Sequence, residues 1–173
     1  MKIWCFLGYL WSMKYVHSKM LAAGVLPISP SGKVLLNRRG LQQPEGGTWS
    51  YFGGRMSRLD GENPRNTASR EFQEESCISE NYSMSKLPFY IYKDNHISYY
   101  LYLALTPEFE PNIIPAHESC DWGWFDLENL PDALHYGVEK MLNETGSKLQ
   151  NIIDRVKDKS EYEIESIIFV IEL

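Results

Sequence analysis

Residues 53–78 read GGRMSRLDGENPRNTASREFQEESCI, and the rest of the chain is organised around them. The second half of this stretch predicts a helix over residues 64–76. Pro64 suits a first turn, where no backbone donor is needed, and Asn63 before it is a good N-cap. Ala68 and Phe72 stand four apart and form an inward stripe. Glu71, Glu74 and Glu75 share a different face at i, i+3 and i+4, with Glu62 just ahead of the helix.

Like charges so placed repel by about 0.2–0.5 kcal/mol per pair on an isolated helix. A hard divalent cation such as Mg2+ or Mn2+ reverses the sign, because it takes carboxylate oxygens while keeping several waters. The plain alternative is a solvated acidic face with an Arg70–Glu74 pair, since charge runs on helices are common. The surrounding pattern favours the metal. Glu62, seven residues, then Arg70-Glu71-Phe72-Gln73-Glu74-Glu75-Ser76-Cys77-Ile78 resembles the Nudix box, G-x5-E-x7-R-E-U-x-E-E-x-G-U, with U bulky and apolar. The Glu62 spacing, Arg70, Glu71, Glu74, Glu75 and Ile78 match, and Phe72 fills the first apolar slot.

The sequence departs from that pattern twice. Seven residues separate Gly54 from Glu62 where the pattern has five, so the loop carries a two-residue insertion around residues 57–60. Cys77 stands where the family has Gly. A residue other than Gly in a left-handed C-cap costs roughly 1 kcal/mol, so the helix is expected to end differently. Neither change removes a metal-ligand candidate.

At 173 residues the chain is long enough for one domain with a sizeable core. Its apolar content of 43% and charged content of 23% are ordinary for a globular protein. The formal net charge of −6, with no basic stripe, argues against bulk nucleic-acid binding. An anionic substrate then needs a metal and a few local Arg or Lys residues. Cys5, Cys77 and Cys120 are odd in number and lack C-x-x-C spacing, which fits reduced thiols in the cytoplasm. Residues 1–13, MKIWCFLGYLWSM, are apolar but too short to span a bilayer. They are read as an N-terminal strand or packing arm in preference to a signal peptide, and no membrane partner is expected.

Strands are expected at residues 21–28 and 33–38, joined by the turn Ser29-Pro30-Ser31-Gly32. Residues 48–52 alternate briefly and run into Gly53-Gly54, where Phe52 replaces the Pro of similar family members. The paired glycines would let backbone approach a phosphate or metal closely. Beyond the box helix, residues 87–92 and 97–105 predict a hairpin turning at Lys93-Asp94-Asn95, and residues 122–127 another strand. Residues 135–143 and 147–157 predict two amphipathic helices broken at Gly146, and residues 161–173 a final strand. Strands interleaved with a central acidic helix and a late helix imply a mixed sheet covered on both sides. The resemblance agrees, implying a Nudix-type α/β/α sandwich with a loop–helix–loop catalytic box. The resulting division is an arm at 1–20, the Nudix domain at 21–145 and an extension at 146–173.

The resemblance also implies roles. Glu71, Glu74 and Glu75 are the expected metal ligands, with Glu74 or Glu75 acting on the attacking water. Arg70 is expected to fix the carboxylates by charge-assisted bonds. Glu62 is a weaker ligand candidate, read in part as a first-turn residue favoured by the helix dipole. In MutT-type members a loop glutamate lies six residues before the Trp of the next strand, and Glu118 stands six before Trp124. It is carried as a catalytic and metal-binding candidate against the reading of a solvated loop residue, with His117 beside it. Arg55, directly after Gly54, is the first choice of phosphate contact. Gly53, Gly54 and Arg39 complete the substrate-binding set, while Arg38 and Arg58 are read as surface charges. Tyr51, Phe52, Tyr100, Tyr102 and Trp122 could stack a ring, although aromatics at strand spacing are usually core.

The resulting expectation is a Mg2+- or Mn2+-dependent pyrophosphohydrolase that splits a nucleoside diphosphate linked to another group, in nucleotide housecleaning or signalling-nucleotide turnover. The alternative is a catalytically silent Nudix-type binding or regulatory module. The complete set Glu71, Glu74 and Glu75 argues for the enzyme. The expected partner is a nucleotide-type small molecule, and a homodimer is left open. After Ile78 there is no S-Q-P-W-P-type run, and no Pro or Tyr at the offsets used for ADP-ribose or dinucleoside polyphosphates. Deoxynucleoside triphosphates, nucleotide sugars and capped RNA all stay open as substrates.

Overall fold

In the computed structural model, which describes residues 19–78, 82–111 and 119–157, strand β1 (Met20–Ile28) is buried without interruption over its last seven residues. A run apolar on both sides of the pleat needs cover on both faces. Helix α1 (Pro64–Ser76) covers one face and helix α2 (Tyr136–Lys157) the other. Ala68 and Phe72 of α1 pack with Ala23, Val25, Leu35, Phe52 and Tyr102. Val138, Met141, Leu149 and Ile153 of α2 pack with Leu26, Ile28, Leu36, Leu101 and Leu103. The architecture is the expected α/β/α sandwich around a mixed sheet.

The remaining strands are β2 (Val34–Arg39), β3 (Trp49–Ser50), β4 (Phe52–Arg55), β5 (Ser83–Met84), β6 (Tyr90–Lys93), β7 (Ile97–Leu105) and β8 (Ser119–Phe125). β1 runs parallel to β7 from Met20↔Ile97 to Ile28↔Leu105. Its antiparallel partner changes along its length. Ile28 pairs with Val34 of β2, whereas residues 22–25 pair with residues 52–55 of β4. β2 meanwhile continues onto β3 and β8. The two ribbons part at this fork, and the candidate site lies there.

The box helix takes the expected bounds. Asn63 caps it, its side chain accepting from Arg65 N–H at 3.0 Å. The expectation of a different helix end does not hold. Cys77 adopts the left-handed conformation itself, at φ 54° and ψ 23°, so the geometry a Gly would supply is kept at a strain cost of roughly 1 kcal/mol. Phe52, in the slot of the family's Pro, is fully buried edge-on to Phe72 with ring centroids 5.3 Å apart.

The predicted pair of late helices is corrected to one. α2 is continuous through Gly146, because a single Gly costs only about 1 kcal/mol in a helix and the apolar stripe Val138, Met141, Leu149, Ile152, Ile153 and Val156 runs past it. The hairpin forms at the expected turn, where Asp94 Oδ1 accepts from the backbone N–H groups of His96 and Ile97. The run expected at 48–52 divides, because β3 pairs with β2 and β4 with β1. Two-residue β5, pairing with β7, is too short to show a period. The N-terminal arm and the strand expected at 161–173 lie outside the described residues, apart from the edge of the arm at 19–20. Among the described residues no helix is long and apolar enough to cross a membrane.

Two substitutions probe these backbone readings. A Cβ added at Gly146 meets nothing within 4 Å, so Gly146→Ala should stabilise by about 0.5–1 kcal/mol in denaturant unfolding. Destabilisation would show that the helix needs a break there. Cys77→Gly should relieve the left-handed strain and raise stability by roughly 0.5–1 kcal/mol, which thermal melting would register.

Candidate active site

The carboxylates expected to crowd one helix face are held apart by a single guanidinium. Arg70 Nε and Nη2 reach Asp60 Oδ1 and Oδ2 at 2.9 and 3.0 Å, in a two-point contact. Its Nη1 lies 2.8 Å from Glu71 Oε1 and 3.0 Å from Glu74 Oε2, and Nη2 also donates to Arg55 O. Three carboxylates, Asp60, Glu71 and Glu74, thus stand around one cation. The Asp60 bond, and after it the bonds to Glu71 and Glu74, hold the Arg70 charge more firmly than usual.

Asp60 is the residue that motif matching missed. It lies in the two-residue insertion, in a single 3-10 turn (Arg58–Asp60) with a reciprocal capping box. Asp60 Oδ2 accepts from Ser57 N–H, and Ser57 Oγ from Leu59 N–H. Thr67 Oγ1 donates to the same Asp60 oxygen, and the carboxyl is only 4% exposed. The Arg70 hydrogen bond, reinforced by Ser57 and Thr67 against the cost of burial, holds its pKa well below the ordinary carboxylate range. The pattern Ser57-x-x-Asp60 is a capping-box signal that was legible in sequence.

Gly53 and Gly54 make room for the protein's own side chains. A Cβ at Gly54 would lie 2.5 Å from Glu71 Cδ, and one at Gly53 would strike the Tyr99 hydroxyl and Gly24 Cα. Gly53 N–H donates to Glu75 Oε2 at 2.9 Å. Strand β4 and helix α1 are therefore locked together through the box carboxylates. Glu71, Glu75, Gly53, Gly54, Arg55 and Arg39 all line one cleft of about 600 Å3 in the fork between the ribbons.

Other predicted residues are placed differently. Glu74 is 60% exposed beside Arg70 and does not line the cleft. Glu62 precedes the N-cap instead of sitting in the first turn, exposed and left-handed at φ 58°. Arg55 is exposed on the cleft wall, while Arg39 is half-buried with Nε bonded to Pro44 O. Arg38 is exposed and donates to Gly47 O. Glu118 and His117 lie outside the described residues. Of the five aromatics singled out, only Tyr51 lines the cleft, joined by Tyr99. Phe52 and Tyr102 are core, with Tyr100 and Trp122 packed against it.

A smaller recess of about 170 Å3, lined by Tyr51, Tyr90, Tyr92, Tyr99 and Tyr136, shares Tyr51, Tyr99 and His135 with the cleft. Burial pushes the phenols of Tyr51 and Tyr99 well above their ordinary pKa, keeping both as neutral hydroxyls. Burial also lowers the pKa of His135, against the pull of Glu45 and with the help of Arg39. Its imidazole is therefore neutral at pH 7. Sequence periodicity gave no sign of this recess, because it is assembled from β3, β4, β6, β7 and the start of α2.

Among the described residues, no three His, Cys, Asp or Glu side chains are gathered closely enough to hold a metal ion as they stand. The donor set nevertheless fits a hard divalent cation. It is all carboxylate oxygen, it carries more negative charge than Arg70 offsets, and Glu71 and Glu75 sit one helical turn apart on the cleft wall.

Asp60→Ala would leave Arg70 without its two-point partner. Breaking a fully buried pair costs about 3–5 kcal/mol, and because Arg70 is a quarter exposed we expect about 2 kcal/mol here. The acid limb should change as well. A depressed folded pKa contributes stability that is complete above the unfolded value near 3.9 and is lost as pH falls through the folded value. Wild type should therefore lose stability on acidification more steeply than Asp60→Ala, as urea midpoints between pH 2 and 6 would record.

Comparison with known proteins agrees with this geometry. The NUDIX domain family matches residues 18–145. No curated protein matches the sequence. The chain is similar to the crystal structure of a MutT NUDIX hydrolase from Burkholderia pseudomallei, with 27% identity, a TM-score of 0.58 and coverage of 72% of this chain and 96% of that one. It shares its fold with the M. smegmatis Nudix hydrolase RenU, at 23% identity, TM-score 0.58 and 76% and 86% coverage. It also shares the fold of a C. elegans Ap4A hydrolase, at 20% identity, TM-score 0.55 and 75% and 98% coverage. With the domain matched over most of the chain and its box helix set against a glycine-lined cleft, the chain belongs to the Nudix family and is a Nudix hydrolase acting on pyrophosphate bonds.

Proposed function

We propose that this Nudix hydrolase is a Mg2+- or Mn2+-dependent pyrophosphohydrolase that splits a nucleoside diphosphate linked to another group, in nucleotide housecleaning or signalling-nucleotide turnover in the cytoplasm. Nudix hydrolases act on such nucleoside diphosphate-linked substrates and generally use divalent metals. The observation that carries the reading for this chain is the convergence of Glu71 and Glu75 with Gly53, Gly54, Arg39 and Arg55 on one cleft.

Phosphate oxygens repel an incoming nucleophile, so hydrolysis needs charge neutralisation and an activated water. A bound divalent cation supplies both, polarising phosphoryl oxygen and lowering the pKa of water. In this proposal Glu71, Glu74 and Glu75 hold that cation, and Glu118 adds a ligand or takes the proton from water. Arg70, anchored by Asp60, keeps Glu71 and Glu74 in position. Glu75 accepts from Gly53 N–H, which fixes its second oxygen relative to β4. Arg55 and Arg39 are the phosphate contacts, with Arg55 exposed on the wall of the cleft where an incoming anion meets it first.

A mixed nucleotide panel with Mg2+ or Mn2+, read as phosphate or pyrophosphate release, tests the activity. Release from no substrate would leave the alternative of a silent nucleotide-binding module. Glu71→Gln, Glu74→Gln and Glu75→Gln should each lower kcat/KM by at least about 100-fold in folded protein, the scale of a lost electrostatic or acid–base group. Near-normal turnover in the Glu75→Gln enzyme would remove the mechanism.

A further inference from the structure

The backbone makes room for two hydroxyls that find no protein partner among the described residues. Gly24 lies inside the buried run of β1, where glycine is disfavoured and marks a close approach by another group. That group is Tyr99, whose hydroxyl a Cβ at Gly24 or at Gly53 would strike. At Gly137 a Cβ would lie 2.9 Å from the Tyr51 hydroxyl. The two rings are neighbours, with centroids 5.5 Å apart. Neither hydroxyl makes a hydrogen bond among the described residues, and neither is sealed, since Asn37 Oδ1 is the one wholly buried side-chain atom there without a partner. Burial keeps both phenols protonated, so each can donate as well as accept.

Both tyrosines line the charged cleft of about 600 Å3 and the tyrosine recess of about 170 Å3. A pocket for a whole drug-sized ligand measures about 300–1,000 Å3, so the recess suits a single ring system and the cleft the rest. In a nucleotide whose base enters the recess and whose phosphates meet Glu71 and Glu75, the group at the junction is the sugar. Four polar side chains stand at that junction, Arg39, Tyr51, Tyr99 and His135. Arg39 can only donate, which suits phosphate. His135 is committed to the protein, Nδ1 accepting from Gly137 N–H and Nε2 lying 3.4 Å from Glu45 Oε1. The phenols remain, and groups that both donate and accept are complementary to the hydroxyls of a sugar.

We propose that Tyr51 and Tyr99 are specificity-determining residues whose hydroxyls bond to the 2′- and 3′-hydroxyls of the substrate's sugar, selecting ribonucleotides over deoxyribonucleotides. This rests on the nucleotide reading above and names the substrate class within it. A site built to hydrogen-bond a hydroxyl rejects the analogue that lacks it, because the site's own polar groups are then left unpaired. Phenylalanine at either position keeps the ring and its packing and removes only the hydroxyl. The free protein loses little by that change, since no protein partner is stranded.

The test is equilibrium binding of α,β-methylene ADP and α,β-methylene UDP, which cannot be split at that bond, in ribose and 2′,3′-dideoxyribose forms with Mg2+ present. The proteins are wild type, Tyr51→Phe, Tyr99→Phe and the double variant. Wild type should bind the ribose forms at least about tenfold more tightly than the dideoxy forms, the scale of one or two hydrogen bonds between uncharged groups. Each single variant should lose part of that ratio, and the double variant should bind both forms to within about threefold of each other. The ligand-free variants should melt at or above wild type. Binding of both forms alike by wild type, a ratio unchanged in the double variant, or equal weakening of both forms would overturn the proposal and leave the nucleotide reading standing. A lowered melting temperature with an unchanged ratio would make the hydroxyls structural and overturn it too. No binding of any form by wild type would refute the nucleotide reading and this proposal with it. Hydrolysis by wild type is read separately on the nucleotide panel. Ribose-selective binding that depends on the two tyrosines, without turnover, would refute the pyrophosphohydrolase reading and leave them as the sugar readers.

Discussion

The structure depends on the contact between Asp60 and Arg70. A helix face carrying three glutamates within five residues is unfavourable by itself, and Arg70 alone is too long and mobile to hold them in one arrangement. Asp60 takes both ends of the guanidinium fork, and Ser57 and Thr67 hold Asp60 in turn. A planar, two-point ion pair fixes orientation as well as charge. The glutamates are thereby presented instead of splayed, and the loop ahead of the helix is fastened to the helix it precedes.

The second constraint is the exchange of partners along β1. A strand hydrogen-bonded to β2 at one end and to β4 at the other forces the two ribbons apart. The opening is where a large ligand can lie across the sheet without displacing core. Gly53 and Gly54 face this opening, and their missing side chains are replaced by Tyr99 and Glu71. The expectation that paired glycines admit a phosphate or metal is thus joined by a nearer physical need, the seating of the site's own groups.

Local stability is given up at identifiable positions. Cys77 accepts left-handed strain to end the box helix where a Gly would do so more cheaply. Asn37 leaves an acceptor unsatisfied beside a well-packed core. The core itself is conservative by contrast, with Phe52 and Phe72 packed edge-to-face under the site so that β4 and α1 keep a fixed spacing.

Local sequence was sufficient wherever local physics decides. Asn63-Pro64 sets the start of the box helix, Ala68 and Phe72 set its buried side, and the uninterrupted apolar run after Leu21 marks a strand covered on both faces. The charge pattern of Glu71, Glu74 and Glu75 with Arg70 was readable for the same reason, since helical spacing alone puts them together. Gly146 misled because a helix penalty of about 1 kcal/mol is judged against the burial of a whole apolar stripe, and burial is tertiary. Asp60 is held within ten residues by Ser57, Thr67 and Arg70, whereas Asn37, Tyr99 and His135 acquire their places only when β1 changes partners and α2 docks across the sheet. Which carboxylates reach the cleft, and which aromatic rings are its walls, follow from contacts between residues far apart in the chain, and no window of sequence contains the energies that set them.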